Sequence, residues 1–350
     1  MRRDRTSAAF SPSLAQLGEF GFLRRLLPTL QQRPGVVVGP GDDCAVVRGA
    51  ARTLLTTDAL VEGVHFEREW MTPDEIGRKA MLVNLSDIAA MGGRPQYALV
   101  SVGVPRGCTS AELAQIHRGC ERAARWAGVS IVGGNLSSAE RLFVSVTLVG
   151  AAAKPVLRHG AKPGDLLFVT GTLGDAAAAV HAWKLATGHT ARSARRAVPP
   201  ALRRRFALPS VRLDVGRRLG ESGVASAMID VSDGLVQDLG HVCAASDVGA
   251  VVNVDLVPRS RAYDELIGAD PELALAGGED YELLFTVAPR RRGRLEALKL
   301  PVRVTLIGKI EARPRGVRLR DASGRLRRPR VGGHQHFRIA RRFSRAWTIC

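Results

Sequence analysis

Five times along this chain an apolar run stops on a carboxylate set beside glycine, serine or threonine. The segments are VVVGPGDD (Asp42, Asp43), TLLTTD (Thr56, Thr57, Asp58), MLVNLSD (Asp87), ASAMIDVSDG (Asp230, Ser232, Asp233) and LAGGED (Glu279, Asp280). Apolar runs of this kind form core strands and helices, and side chains at their ends can converge on one cleft. Carboxylates packed together repel each other and change their pKa values unless a cation intervenes. Hard oxygen ligands suit Mg²⁺, which keeps several waters and shares its shell with substrate phosphates. One such aspartate reads as a cap or a turn; five together read as a site. No GxxxxGK[ST] loop occurs. A phosphate binder without that loop offsets triphosphate charge with metals, Arg or Lys side chains and backbone amides.

The elements around these tips place the chain in the α/β class. Its 350 residues suit two domains. Aromatics make up only 5% against 45% apolar residues, so Ala, Val, Leu and Ile carry the core. A basic, disordered tail is predicted over 1–14, then a helix on Leu17, Phe20, Leu23, Leu26 and Leu27. Strands are predicted at Val36–Val38, Ala45–Val47 and Thr53–Thr57, and a helix from Pro73 to Gly92-Gly93. A strand at Tyr97–Val104 precedes a helix from Ala111 to Trp126, capped by Thr109 or Ser110. Strands at Val129–Val132 and Leu142–Leu148 flank GGNLSSAER, read as a loop. The Pro/Gly-marked linker KPVLRHGAKPGD separates a first domain, 15–153, from an α/β domain, 154–315; a basic segment fills 316–350. In the second domain, strands are predicted at Leu166–Thr170, Ala225–Ile229, Val251–Leu256, Leu283–Val287 and Val302–Ile307. Helices are predicted at 175–187 and Leu213–Gly220.

The net charge is +18. Its arginines are spread out, with local density at 192–205, 289–294 and 312–342, and do not interleave with aromatics along a stripe as in a nucleic-acid binder. The charge still favours anionic ligands such as nucleotides. Cys44, Cys108, Cys120, Cys243 and Cys350 form no CxxC pair and read as reduced thiols. No run approaches the ~20 apolar residues of a membrane span, and no signal-peptide pattern opens the chain. A cytoplasmic location is expected.

Other polar groups carry weaker signals. His65, in VEGVHF, reads either as a structural histidine or as a site residue. Lys79 and Arg158 are candidates for phosphate contact, against a solvated helix face or linker. Gly133-Gly134 before Asn135 permits close approach of backbone to a ligand.

In order, GEFGFLRRL, GPGDDCAVV, TTDALVEGVHF, KAMLVNLSDIAAMGGRP, RHGAKPGDLLFVTGTLGDAAAAV, IDVSDGLVQDLGHVCAASDVGA and GGEDYELLFTV resemble the thiamine-monophosphate kinases. These belong to the aminoimidazole ribonucleotide synthetase-like superfamily. The resemblance spans about 18 to 310. It implies a two-domain α/β (α+β) fold with an N-terminal mixed sheet, a homodimer, and ATP bound through several Mg²⁺ ions in a cleft near the dimer interface. It implies metal ligation by Asp43, Thr56, Thr57, Asp58, Asp87 and Asp230, with Asp233 holding a further ion. Gly134, Asn135, Arg158 and Ser232 would meet ATP, and His65 and Glu279 would meet thiamine monophosphate.

Two positions depart from the family pattern. Asn135 stands where the family has a metal-binding aspartate; it offers a neutral carbonyl oxygen and one charge less, with Glu140 a possible replacement. His334, in GGHQHF, stands where an aromatic that packs on the substrate ring is expected. The implied reaction transfers the γ-phosphoryl group of ATP to thiamine monophosphate, giving thiamine diphosphate. The alternatives are a superfamily enzyme with another small acceptor and a catalytically weakened nucleotide-binding homologue.

Overall fold

The TPDE sequence at 72–75 builds the helix on which the architecture turns. Thr72 and Glu75 form a reciprocal capping box and Pro73 fits the first helical position. The structure, a computed structural model, describes residues 36–38, 42–48, 52–185, 197–312, 314–330 and 332–333. The predicted tail 1–14, the helix on Leu17–Leu27, the turn at 39–41, His334 and the end of the basic segment lie outside the described residues.

The first half runs β1 (Val36–Val38), β2 (Ala45–Arg48), β3 (Arg52–Val61), α1 (Pro73–Ala90), β4 (Arg94–Val104), α2 (Ser110–Ala127), β5 (Ser130–Ser138) and β6 (Phe143–Ala151). Its six strands are ordered β1-β2-β3-β6-β4-β5, antiparallel except for β4 and β5. Thr109 caps α2 through a second capping box with Glu112. The α1 and α2 helices lie on one face of the sheet, against Leu54, Ala98, Val144, Val146 and Leu148. The other face is open and carries exposed Leu55, Tyr97 and Leu99.

The second half continues with β7 (Leu166–Thr170), α3 (Asp175–Leu185), α4 (Pro200–Ala207), α5 (Leu213–Ser222), β8 (Ala225–Asp230), α6 (Leu235–Ser246) and β9 (Gly249–Asn253). It closes with α7 (Arg261–Ile267), α8 (Glu272–Ala276), β10 (Leu283–Val287), α9 (Arg292–Ala297), β11 (Val304–Glu311), β12 (Gly316–Arg320) and β13 (Leu326–Arg327). The seven strands are ordered β13-β12-β9-β11-β7-β10-β8. All described residues belong to one compact unit, Pro34–His334. No helix among them is long and apolar enough to cross a membrane.

Three local expectations are corrected. GGNLSS is part of β5 and not a loop: its backbone pairs with β4 in parallel register, and its exposed edge position leaves no apolar signature to read. Val254–Leu256 is a 3₁₀ turn that follows β9 and not a strand. The β3 strand continues past Thr57 to Val61, so Asp58 sits inside a strand and not at its tip.

Candidate active site

Three carboxylates from distant elements share one spot. Oxygens of Asp43, Asp87 and Asp230 all lie within 4.8 Å of one another. Asp43 lies in the bend before β2, Asp87 lies within α1, and Asp230 ends β8. They meet because α1 crosses between β3 and the end of β8. On the β3 side the Thr56 hydroxyl donates to Asp87 and the Asp58 N–H donates to Asn84 Oδ1 at 2.9 Å. On the β8 side Ser86 Oγ donates to Asp230 Oδ2 at 2.5 Å.

Burial and mutual repulsion raise these acids together. Asp43 is pushed up to about 7, chiefly by burial, against the Arg158 guanidinium that contacts it. Asp58 keeps solvent access but is walled in by protein; burial and then the charges of Glu279, Asp233 and Asp43 lift it to about 6. Burial lifts Asp230 to about 6, opposed by the Ser86 hydrogen bond and Arg158. Asp87 lies well above the usual carboxylate range, from burial and the charges of Asp58, Asp230 and Asp43. Asp43 Oδ2 is sealed from solvent with no hydrogen-bond partner. An orphaned carboxylate oxygen facing two more carboxylates fits a hard divalent cation such as Mg²⁺.

A second loop closes the site. The Glu279 N–H donates to the Ser232 carbonyl at 2.7 Å, and the Tyr281 N–H to the Val231 carbonyl at 2.7 Å. Both residues hold left-handed backbone, with φ of 73° at Glu279 and 52° at Tyr281. Such strain persists where surrounding contacts over-determine it, and it clusters at functional sites. Gly278 is required here, since a Cβ would stand 2.3 Å from the Ser232 carbonyl oxygen. Asp233 accepts from Gln237 Nε2 at 2.9 Å and forms a second acidic group with Asp238 and His241.

Other expected residues fall elsewhere. The Thr57 hydroxyl turns to the open sheet face, where it donates to the Val146 carbonyl at 3.1 Å and meets Thr147 Oγ1 at 3.0 Å. Only its backbone is left for the carboxylate side. Cross-strand pairing runs Asp58–Val146–Val100–Gly134, which sets Gly134 and Asn135 three strands from Asp58, roughly 14 Å away. A Cβ at Gly134 would stand 1.8 Å from the Val100 carbonyl oxygen, so the neighbouring strand already demands this glycine. His65 Nδ1 accepts from the Val61 N–H at 3.1 Å in the turn after β3. Glu140 lies exposed between β5 and β6. Lys79 is not on a solvated face: it is wholly buried and pairs with Glu279.

The model of AIR synthase related protein, N-terminal domain, matches residues 41–152, and that of the C-terminal domain matches 162–320. Thiamine-monophosphate kinase of Mycobacterium tuberculosis is 39% identical over 81% of this chain and 84% of its own. The chain belongs to the thiamine-monophosphate kinase family. The Aquifex aeolicus thiamine-monophosphate kinase is 38% identical over 78% of this chain and 87% of that relative. A solved structure described as AaThiL complexed with AMPPCP and TMP superposes with a TM-score of 0.81 at 35% identity, covering 94% of this chain and all of that one.

This thiamine-monophosphate kinase family member also places groups that sequence reasoning passed over. Asn84 and Ser86 lie in the quoted NLSD run but carry no site reading from the sequence; Asn84, three residues before Asp87, shares its helix face, whereas Ser86 beside it does not. Asp238 accepts from the N–H groups of Asp233 and Gly234 at 3.1 and 3.0 Å and so shapes the DVSDG turn. His241 is lowered to about 4 by burial and by Arg158, which keeps it neutral at physiological pH. The Tyr281 hydroxyl is pushed up by burial and by the charges of Glu279, Asp58, Asp230 and Asp87. No spacing rule singles out His241 or Tyr281, because their surroundings are tertiary; Asp238 acts locally on the turn just before it.

Proposed function

We propose that this chain is an ATP-dependent kinase that transfers the γ-phosphoryl group of ATP to thiamine monophosphate, giving thiamine diphosphate. The observation that carries it is the convergence of Asp43, Asp87 and Asp230 around an orphaned, buried oxygen. It is supported by a relative's structure described with AMPPCP, an ATP analogue, and TMP.

The acceptor is a phosphate oxygen, already anionic at neutral pH, so the reaction needs no strong general base. The difficulty is bringing two anions together. Asp43, Asp87 and Asp230 are the residues that would hold Mg²⁺, with Asp58 beside them, and the bound ion would screen this repulsion and take up charge on the transferring group. Arg158 supplies a fixed guanidinium next to Asp43 and is set to meet phosphate oxygens. Glu279 and Tyr281, which sense the charge of these acids, are assigned to the acceptor.

The chain acts as a homodimer in the cytoplasm. The open face of the first sheet is the dimer surface, with Leu55, Tyr97 and Leu99 exposed on it. Pairing there brings Gly134 and Asn135 of one copy toward the carboxylates of the other. The test is the purified chain with ATP, Mg²⁺ and thiamine monophosphate, with products separated by chromatography. Thiamine diphosphate and ADP in equal amounts are expected. ATP consumption without thiamine diphosphate overturns the assignment.

A further inference from the structure

Lys79 is 0% exposed, and its ammonium sits 2.5 Å from Glu279 Oε2. It also stands 3.5 Å above the centre of the Phe206 ring. Phe206 is itself held edge-on by Trp183 and Trp70, which stack on each other at 4.8 Å. An ammonium caught between a carboxylate and a packed aromatic face has no room to swing. Four residues before Lys79 on the same helical face, Glu75 takes both terminal nitrogens of Arg203, at 2.7 and 3.1 Å. Seven residues after it, Ser86 reaches Asp230. Residues at these intervals share one side of a helix. The α1 helix therefore meets the second half of the protein along one polar stripe, and Lys79 is the member that points at the Glu279 loop.

Glu279 is divided between two environments. Its Oε2 is sealed from solvent against Lys79, while 24% of the side chain stays exposed. It lies among like charges, since Glu279 and Asp233 both raise Asp58. A carboxylate so placed is driven away from its neighbours unless a cation anchors it. We propose that Lys79 is a positioning residue for the acceptor: it pins one oxygen of Glu279 so that the rest of that carboxylate receives the positively charged, nitrogen-bearing ring system of the acceptor. This rests on the kinase reading above.

The variants Lys79→Met, Lys79→Arg, Glu279→Gln and the double Lys79→Met/Glu279→Gln test it. Thiamine monophosphate is titrated calorimetrically into each, and KM is measured for it and for ATP. K79M is expected to weaken acceptor binding at least tenfold while the KM for ATP stays within twofold. K79R is expected to recover part of the loss. The double variant leaves no buried charge unpaired and is expected to fold even if K79M does not, with acceptor binding no weaker than that of E279Q alone. Unchanged acceptor binding in K79M, an equal rise in the KM for ATP, or a double variant weaker than E279Q each overturns the proposal. Wild-type chain that binds no thiamine monophosphate instead removes the kinase reading itself, and the positioning role with it.

Discussion

Ser86 and Asp230 are 144 residues apart and joined by a 2.5 Å hydrogen bond between α1 and the end of β8. That bond opposes the burial that raises Asp230. Ser86→Ala removes it, so Asp230 holds its proton to higher pH. The Mg²⁺ concentration for half-maximal turnover is expected to rise about tenfold near pH 6.5, in line with loss of one hydrogen bond to a charged group, and the gap narrows near pH 8. Mg²⁺ titrations at the two pH values check this; an equal effect at both contradicts it.

The raised acids also set how stability follows pH. Asp43 near 7, Asp58 and Asp230 near 6, and Asp87 above its usual range all hold protons that the unfolded chain has released. Their contribution in the metal-free protein is full below about pH 4 and is lost as pH rises through 6 and 7. His241, lowered to about 4, works the other way between about pH 4 and 6.5. A divalent cation needs the ionised forms, so the gain in Tm from added Mg²⁺ should grow from about pH 5.5 to about pH 8. Asp43→Asn should flatten that growth. Melting curves with Mg²⁺ and with a chelator give the answer.

The open sheet face yields a third outcome. Leu99 is 44% exposed and pairs across strands with Thr147 and Gly133. Leu99→Arg places a charge in the proposed dimer surface, and light scattering on the eluting protein should give the mass of one chain. Turnover should fall by at least about tenfold, equivalent to roughly 1.4 kcal/mol of transition-state stabilisation, because the proposed pairing is what brings Asn135 to a partner's site. A monomer with full turnover would place Asn135 outside the reaction.

Much of this site is legible in the sequence, for a reason that differs from the one the sequence suggests. The acidic tips include Asp43, Asp87 and Asp230, which the fold brings together, yet Asp58 lies mid-strand and Asp87 in the last turn of a helix. They meet because α1 crosses two sheets, a tertiary fact that no local run encodes. Asn135 was grouped with the other ligands by motif, and only strand order places it three strands away. Lys79, read as either a phosphate contact or a solvated lysine, is instead buried, and the carboxylate it pairs with lies 200 residues on. Only the start of β5 is legible, as the predicted strand Val129–Val132; its GGNLSS continuation is not, because edge strands rich in glycine and serine carry no alternation.

Glu282 gives the last test. It is fully buried, accepts from Arg212 Nε and Nη2 at 2.6 Å each, and takes Arg205 Nη2 at 2.7 Å and Thr170 Oγ1 at 2.6 Å. Thr170 Oγ1 in turn accepts from the Leu283 N–H at 2.9 Å, where β10 begins. Glu282 thus anchors the strand that follows strained Glu279 and Tyr281. Although burial pushes the carboxyl up, these arginines hold it below the usual range. Its stabilising contribution is therefore present above about pH 4.5 and lost as pH falls through its depressed value. Glu282→Gln leaves two guanidinium groups facing a neutral amide, and breaking a buried pair in this way costs about 3–5 kcal/mol. The urea midpoint should drop accordingly near pH 7 and the loss should shrink toward pH 4. A midpoint unchanged at neutral pH would mean that Arg205 and Arg212 find equal partners in Asp175 or Asp280, and that the anchor of β10 lies elsewhere.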